Sequence, residues 1–433
     1  MFYDNKNCGR VIKIVKELLL NNLNKSFYSV KTLIKWLFLG TFIGFIVGSV
    51  CSVFGHMLLW ANDYRLHNQW ISLLLPIGGL LIIAMYKAWH NEDDRGTNMV
   101  ISSIHSSTGI RTRMAPLIFA STMITHLLGG SAGREGAAIQ LGGSIANKLG
   151  SVMELNENDQ RIIIMCGMSA GFSALFGAPM AAAIFSLEVI SIGIMHYSAL
   201  VPCVTASMVA HFLSGYLAME PERFTVALIP EFTLVTFLKI IAFAALAGGV
   251  SVLFCICLHS IEHLYKKYLK NTYIRILTAG CILIVLSLIF GNEYLGSGQG
   301  IMESVFHGEE IDIYAFLLKM LFTAVTLGAG FKGGEIVPSF CIGAAFGFAV
   351  SAIFGLPVTL VAACGMVGVF CGVTNCPITS LLISFEMFGF EGMPYYLTTV
   401  AVSYMLSGYY GLYRAQKIMY SKTEPNYINR EAH

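Results

Sequence analysis

The sequence predicts an all-α polytopic membrane protein built from two inverted repeats with broken intramembrane helices. Composition is the first indication, because the chain of 433 residues is 56% hydrophobic and 12% charged, with a mean hydropathy of +0.69. These values are typical of membrane proteins and exclude an ordinary soluble enzyme. Apolar runs of about 20 residues, the length that a helix needs to cross a bilayer, are the second indication. An internal duplication is the third.

The N-terminal region is basic. Residues 1–28 predict an amphipathic helix that lies on the membrane surface, and they contain no signal-peptide core or cleavage site. Under the positive-inside rule, this region and the basic stretch from Lys266 to Arg275 belong in the cytoplasm, which places both termini there. The net charge is only +2 and no basic block occurs, so the composition does not indicate a nucleic-acid partner.

The duplication sets the predicted domain boundaries. Residues from Cys166 to Glu188 match those from Cys364 to Glu386 without a gap, at an offset of 198 residues. At the same offset Arg134 falls on Lys332 and Gly136 on Gly334. The first repeat is predicted at 29–218, an extracellular linker at 219–231, the second repeat at 232–412, and a C-terminal helix and tail at 413–433 without a cytoplasmic regulatory domain. Inverted repeats with interrupted helices are typical of transporters, which bind their substrate at the repeat interface.

The stretch GGSAGREGAAIQLGG at 129–143 places an Arg134–Glu135 pair in an apolar region. Ionisable residues at membrane depth usually face a cavity or pathway. If Gly136 and Ala137 open a helix, their free N–H groups form an anion site. The Glu135 carboxylate would compete with an anion for that site and would leave it on taking a proton. The alternative is a buried Arg–Glu pair that only stabilises helix packing.

Several motifs then resemble one family in their order along the chain. Gly133-Arg134-Glu135-Gly136, Ala178-Pro179, Gly330 to Pro338 and Leu412-Tyr413 are similar to motifs of the CLC family of chloride channels and anion/proton antiporters. The resemblance covers nearly the whole chain. It implies the CLC fold, a homodimer in which each subunit has its own pore, and a bacterial inner-membrane protein.

The resemblance also implies roles for single residues, and the departures from the family pattern narrow the function. Glu135 stands at the position of the gating glutamate and Tyr413 at that of the central tyrosine. The usual GSGIP stretch is replaced by Gly96-Thr97-Asn98-Met99-Val100, and Val189 stands where chloride antiporters have an internal proton glutamate. Glu335 occupies a position that is usually apolar.

Ala137 replaces the proline that usually follows GREG. Together these departures resemble the fluoride-exporting branch of the family. They imply a fluoride/proton antiporter that exports cytoplasmic fluoride and confers fluoride resistance, with no enzymatic activity, cofactor or metal.

The candidate fluoride-binding residues come from the glycine-rich breaks. Fluoride is small and tightly hydrated, and the Asn98 amide offers two donors where a serine hydroxyl offers one. Asn98 is alternatively an ordinary cap residue, and Met99 is expected to pack. The candidates are Gly96, Thr97, Asn98, Met99, Arg134, Gly136, Ala137, Gly334, Ile336, Val337 and Tyr413.

Glu335 is the candidate proton relay. An unpaired carboxylate in an apolar loop is costly unless it carries a proton, which suits a group that passes protons on. The alternative is an ion pair with Lys332, three residues earlier. Tyr413 offers its hydroxyl to the ion or to Glu335, or is an interfacial anchor.

Other interpretations of the chain stay open. Glu188 and Glu386 occupy equivalent repeat positions, which favours a shared structural or dimer-facing role. A chloride/proton antiporter or a passive anion channel of the same family is the alternative function. His105 and His126 raise an intramembrane protease as a further class, but no HExxH motif accompanies them.

Overall fold

The computed structural model of the chain describes residues 5–106 and 110–432, with side chains from Ser26 onwards. Almost all regular structure in these ranges is α-helical. Six of the described helices are long and apolar enough to cross a membrane. The predicted all-α polytopic architecture is therefore confirmed. The six spans are Ser26–His67, Gln69–Ala88, Tyr197–Tyr216, Leu234–Tyr268, Thr272–Phe290 and Ile336–Phe354.

The helices form two sets of eight that follow one another in the described chain. The first set is α1 (Asn5–His67), α2 (Leu75–Ala88), α3 (Thr97–Ser106), α4 (Met114–Leu127), α5 (Glu135–Val152), α6 (Glu157–Phe176), α7 (Pro179–Glu188) and α8 (Leu200–Tyr216). The second set is α9 (Leu234–Tyr268), α10 (Thr272–Phe290), α11 (Gln299–His307), α12 (Ala315–Ala329), α13 (Ile336–Phe354), α14 (Val358–Thr374), α15 (Pro377–Phe388) and α16 (Met393–Leu406). Short 3₁₀ helices occupy Gln69–Leu74, Tyr197–Ala199 and Asn292–Tyr294, and the strands are β1 (Ser191–Ile192), β2 (Lys417–Tyr420) and β3 (Tyr427–Glu431).

The predicted helix break at 177–179 is confirmed. Helix α6 ends at Phe176, Gly177 adopts a left-handed φ of 73°, and Pro179 opens α7. Glycine tolerates that φ, and proline is favoured in a first helical turn, so the three residues end one helix and start the next. Asn375, with a φ of 59°, makes the equivalent break between α14 and α15.

The two halves meet at a pair of glycines. Gly133 and Gly334 form an antiparallel bridge in which each N–H donates to the carbonyl oxygen of the other, both at 2.7 Å. The next residues, Arg134 and Glu335, are the N-caps of α5 and α13. We refer to this pair of glycines as the glycine bridge. It makes Arg134 and Glu335 equivalent, so the sequence pairing of Arg134 with Lys332 is wrong.

The register error has a simple cause in helix length. Helix α6 has 20 residues and α14 has 17, although their C-terminal ends align at the offset of 198. Because α14 is three residues shorter, the residues before it are out of register by three in a gap-free alignment. A gap-free alignment taken from the C-terminal ends therefore misplaces the loops that lead into α5 and α13.

Glu188 and Glu386 connect the halves a second time. The Glu188 carboxylate accepts hydrogen bonds from the N–H groups of Ile378 and Thr379, at 3.0 and 2.9 Å, in the first turn of α15. Glu386 accepts from the N–H groups of Met180 and Ala181, at 3.0 and 2.9 Å, in the first turn of α7. Each carboxylate satisfies free donors at the N-terminus of the equivalent helix in the other half, and the helix dipole favours it there. Their shared role in the described structure is structural.

Both chain ends differ from the expectation. The region 1–28 does not form a helix of its own, because α1 runs without interruption from Asn5 to His67, while residues 1–4 lie outside the described residues. No glycine or proline occurs between residues 10 and 39 to end the helix.

The predicted C-terminal helix within 413–433 is also wrong. The described part of this segment forms β2 and β3, which pair antiparallel, and β2 pairs parallel with β1. The runs KIMY and YINRE contain isoleucine and tyrosine, which favour strands. Position 433 lies outside the described residues.

Candidate ion-transport site

Two helix N-termini come together at the glycine bridge. A Cβ atom on Gly334 would lie 2.5 Å from the Gly136 nitrogen, and one on Gly136 would lie 2.7 Å from the Gly334 Cα. Only glycine at these two positions permits such a close approach. The first-turn N–H groups of α5, including those of Gly136 and Ala137, and the positive ends of both helix dipoles therefore point to one small region.

The apolar candidates of the second loop pack around the bridge. Ile336 and Val337 are buried in the first turn of α13. The Val337 side chain lies against Gly133, since a Cβ atom on that glycine would be 3.1 Å from the Val337 Cβ. These residues hold the two loops together and can offer an anion only backbone N–H groups.

Glu135 is buried and bound to its neighbour. Its Oε1 accepts a hydrogen bond from the Arg134 Nε at 3.2 Å, and its Oε2 accepts from the Arg134 backbone N–H at 3.2 Å. The Arg134 Nη2 donates to Glu222 Oε1 at 2.5 Å. The guanidinium is thus held between two carboxylates, and its contacts are with these acids and with the Leu175 carbonyl oxygen at 3.5 Å.

Glu335 has a different environment. Its Oε2 atom is buried and has no hydrogen-bond partner among the described residues. This oxygen lies 3.4 Å from the position that a Cβ atom on Gly136 would take. The carboxylate of the second half therefore lies over the first turn of α5, where an anion is favoured. The buried Oε2 atom is left without a donor, and protonation of the carboxylate lowers that cost.

Lys332 does not pair with Glu335. Its ammonium forms a 2.8 Å salt bridge with Asp94, whose side chain is 1% exposed, and lies 4.4 Å from the centre of the Tyr86 ring. The alternative interpretation of Glu335 as half of a Lys332 ion pair is therefore wrong, and Glu335 remains available for proton transfer.

The start of α3 approaches α5 from another side. Gly96 has a φ of 60° and its N–H donates to Asp94 Oδ1 at 3.1 Å. Thr97 Oγ1 accepts a hydrogen bond from Gln140 Nε2 at 3.2 Å, and Gln140 Oε1 is buried without a partner in the described structure. Gln140 is not among the site residues predicted from the sequence. Its spacing of four residues from Gly136 places it on the same face of α5 and is the signal that would have found it.

Asn98 contacts the chain segment that follows Tyr413. Asn98 Oδ1 accepts a hydrogen bond from the Ala415 N–H at 2.9 Å, which fixes the amide orientation and leaves the NH₂ group as the donor end. The Tyr413 side chain is 1% exposed, its hydroxyl has no partner in the described structure, and it lies within electrostatic range of Glu335. Met99 packs against the apolar core.

A buried lysine supports the first loop and was also missed. The Lys319 ammonium donates to the Gly296 carbonyl oxygen at 2.7 Å, to Ser131 Oγ at 2.9 Å and to the Tyr294 carbonyl oxygen at 3.1 Å. It is fully buried. Lys319 therefore ties the loop before α5 to the connection between α10 and α11. A lone lysine within an apolar helix is the sequence signal for it.

The two histidines are not arranged as a catalytic pair. His105 Nε2 contacts the Ile190 carbonyl oxygen at 3.0 Å, and His126 Nε2 contacts the Gly133 carbonyl oxygen at 3.3 Å. They lie on different helices and each is bonded to backbone. No group of His, Cys, Asp and Glu side chains suited to a metal ion occurs among the described residues.

The two carboxylates have acidic neighbours near different ends of helix α9. Helix α9 is 35 residues long, about 50 Å, so its ends lie at opposite faces of the membrane. Glu135 is linked through Arg134 to Glu222, which precedes α9. Glu335 is partly exposed as a residue and lies within electrostatic range of Glu262, near the far end of α9. The acid linked to Glu135 through Arg134 thus precedes the start of α9, and the acid within electrostatic range of Glu335 lies near the end of α9.

A polytopic protein in which broken helices converge on buried titratable groups belongs to the class of membrane transport proteins with a repeat-interface site. The sequence profile described as "Voltage gated chloride channel" matches residues 78–408. The chain therefore belongs to the CLC family, as its motifs predicted.

Individual relatives agree with this assignment. The chain is 34% identical over 398 residues to a chloride/fluoride channel protein of Pseudomonas syringae pv. tomato, covering 90% of this chain and 87% of that protein. A solved CLC-type fluoride/proton antiporter is similar in structure with a TM-score of 0.86 and 34% identity, over 89% of this chain and 98% of the other. An H(+)/Cl(−) exchange transporter, ClcA of Vibrio cholerae, is 24% identical over 87% of this chain and 86% of its own length. The CLC fold is thereby confirmed.

Proposed function

We propose that this protein is a fluoride/proton antiporter that exports cytoplasmic fluoride in exchange for protons and so confers fluoride resistance. We further propose that it works in the bacterial inner membrane as a homodimer with one pore per subunit and with both termini in the cytoplasm. Two inverted repeats at 29–218 and 232–412, joined by an extracellular linker at 219–231, would form each pore. The names of the two relatives at 34% identity, one a chloride/fluoride channel protein and one a fluoride/proton antiporter, support this proposal.

The observation that carries the proposal is the Glu335 Oε2 atom, which is buried over the first turn of α5 without a hydrogen-bond partner among the described residues. A proton-coupled exchanger needs a titratable group on its way to the cytoplasm, and Val189 removes the usual candidate. Glu335 supplies such a group at the anion site itself. A passive channel has no need for an acid with a buried oxygen that lacks a donor, which is costly to keep.

The exchange proceeds by competition at the start of α5. Glu135 accepts a proton from the extracellular side, where the linker lies. Its neutral form is no longer held by the charge of the Arg134 guanidinium. Fluoride then occupies the N–H groups of the first turn of α5. The proton passes towards Glu335, which releases it at the face where Glu262 lies. Ionised Glu335 in turn competes with fluoride for the same helix start, so one site is never occupied by both negative groups.

Selectivity for fluoride is assigned to the donor end of Asn98. Its amide oxygen accepts a hydrogen bond from the Ala415 N–H, which fixes the amide orientation and leaves the two N–H donors for the ion. Fixed strong donors replace the water that fluoride loses, at little reorganisation cost. Thr97 lies beside Asn98 and is bound to Gln140, which holds α3 against α5.

The test uses purified protein in liposomes loaded with fluoride or with chloride, with anion efflux and external pH recorded together. The proposal predicts fluoride efflux accompanied by proton uptake at a constant ratio, and much slower chloride efflux. Chloride efflux with proton uptake would indicate the chloride/proton antiporter instead. Anion efflux without proton movement would indicate a passive channel.

A further inference from the structure

The connection between α8 and α9, residues 217–233, crosses the end of α6 without regular structure; we call it the strap. The Glu222 N–H lies 3.4 Å from the Phe176 carbonyl oxygen, and Pro221 packs so closely on Gly177 that a Cβ atom there would be 2.4 Å away. The Phe224 ring stacks on Phe306 with a centroid distance of 4.6 Å. The strap is thus held in place on both sides of Glu222.

Glu222 is the buried acid of the strap. Its side chain is 6% exposed, and its Oε1 accepts a 2.5 Å hydrogen bond from the Arg134 Nη2. Its Oε2 is buried without a hydrogen-bond partner in the described structure. Glu220, two residues earlier, is exposed. The strap therefore places the Glu222 carboxylate against the Arg134 guanidinium, which also binds Glu135.

Two carboxylates share one guanidinium in this arrangement. Arg134 contacts Glu135 at 3.2 Å through Nε and Glu222 at 2.5 Å through Nη2. We propose that Glu222 is the fixed counter-ion of Arg134 that allows Glu135 to take up and release its proton. It acts through Arg134, so it is a positioning residue for the exchange, and this inference rests on the proposed function.

The physical argument concerns what Arg134 loses when Glu135 becomes neutral. A buried guanidinium that loses its only carboxylate is strongly destabilised. With Glu222 in place, Arg134 stays paired whether Glu135 is ionised, protonated or displaced by fluoride. Without Glu222, the unpaired guanidinium would favour ionised Glu135, and a higher proton concentration would be needed to neutralise it.

Other charged groups near the strap do not replace Glu222. His126 lies within electrostatic range of Arg134 but can only add positive charge. Arg223 lies within range of His211 and of Glu386, at the neighbouring helices α8 and α15. Within the described residues, the ion pairs of Arg134 are with Glu135 and Glu222.

The experiment measures fluoride efflux and proton uptake in liposomes as a function of pH, with equal pH on both faces, for the parent, Glu222→Gln, Glu222→Asp and the matched control Glu220→Gln. The inference predicts that Glu222→Gln shifts the pH of half-maximal exchange by about one unit towards acid, since a nearby charge has effects of this size. Its rate should approach the parent rate at acid pH. Glu222→Asp, which keeps the charge, and Glu220→Gln should retain the parent profile.

Two results would overturn the inference. One is an unshifted pH profile in Glu222→Gln. The other is a rate that falls by the same factor at every pH in both Glu222→Gln and Glu222→Asp, which would make the strap merely structural. Absence of proton movement in the parent would overturn the proposed function and this inference with it, whereas coupled exchange in the parent with an unshifted mutant overturns the inference alone.

Discussion

The loops that lead into α5 and α13 have the same backbone and opposite electrostatics. Gly133 and Gly334 bond to each other, and each is followed by an N-cap residue that is charged, Arg134 in the first half and Glu335 in the second. In the first loop the carboxylate of Glu135 is bound to Arg134, whereas in the second loop one oxygen of Glu335 has no partner among the described residues. A duplicated scaffold thus holds a paired acid suited to gating beside an unpaired acid suited to carrying a proton.

Among the substitutions that test this comparison, the loss of Glu335 should have the largest effect on coupled fluoride/proton exchange. Glu335→Gln keeps the shape of the side chain but removes the transferable proton, so coupled exchange should fall by a factor of about 100 or more, the usual size of a lost proton-transfer group. Initial fluoride efflux and proton uptake in liposomes measure it. Glu391→Gln, on an exposed turn, is the control. Coupled flux at the parent rate in correctly folded Glu335→Gln protein would mean that another group, such as a water chain, carries the proton.

Glu135→Gln tests the acid of the first loop, which is bound to Arg134. The substitution removes the proton of the gate and leaves Arg134 paired with Glu222, so the protein should stay folded while proton-linked exchange is lost by about 100-fold. The measurement is proton uptake driven by an imposed fluoride gradient. If Glu135→Gln vesicles still move protons under that gradient, Glu135 is not the gate.

The glycine bridge itself should be sensitive to one added methyl group. Gly334→Ala would place a Cβ atom 2.5 Å from the Gly136 nitrogen, so the two loops must separate. We expect a loss of about 1–3 kcal/mol in stability, typical of overpacking, together with slower exchange. Thermal unfolding in detergent measures the first and liposome flux the second. Gly249→Ala, at a site with no atom within 4 Å, is the matched control.

Substitution at Asn98 should have the smallest effect, because it changes selectivity without touching either carboxylate. Asn98→Ser replaces two N–H donors by one hydroxyl, and the fluoride-to-chloride flux ratio should fall about tenfold, the equivalent of one good hydrogen bond. Asn426→Ser, the same substitution at an exposed position, should leave the ratio unchanged. Equal ratios in Asn98→Ser and the parent would remove Asn98 from the selectivity site.

The sequence predicted the features that depend on local chemistry. The helix break at Gly177-Ala178-Pro179 follows from one left-handed glycine and one helix-starting proline. The glycine-rich loop with its Arg134–Glu135 pair was predicted to start a helix, because the free N–H groups of a first helical turn favour a negatively charged group. Both predictions needed only neighbouring residues.

Features that depend on distant residues were missed or misplaced. Glu222 lies 88 residues from Arg134, and nothing in the strap sequence distinguishes it from the exposed Glu220. Sequence spacing offered Glu335 as an alternative ion-pair partner for Lys332, but Asp94, which lies 238 residues away, binds Lys332 in the fold. The register of the repeats failed for a related reason, since a helix shortened by three residues shifts the loops before it.

The central claim is that Glu335 holds a proton at rest while Glu135 is ionised beside Arg134. Infrared difference spectroscopy of the protein in lipid at neutral pH tests it directly through the C=O stretching band of a protonated carboxylic acid. We expect this band in the parent and in Glu135→Gln, and its loss in Glu335→Gln. A band that disappears in Glu135→Gln and persists in Glu335→Gln would show that Glu135, not Glu335, holds the proton.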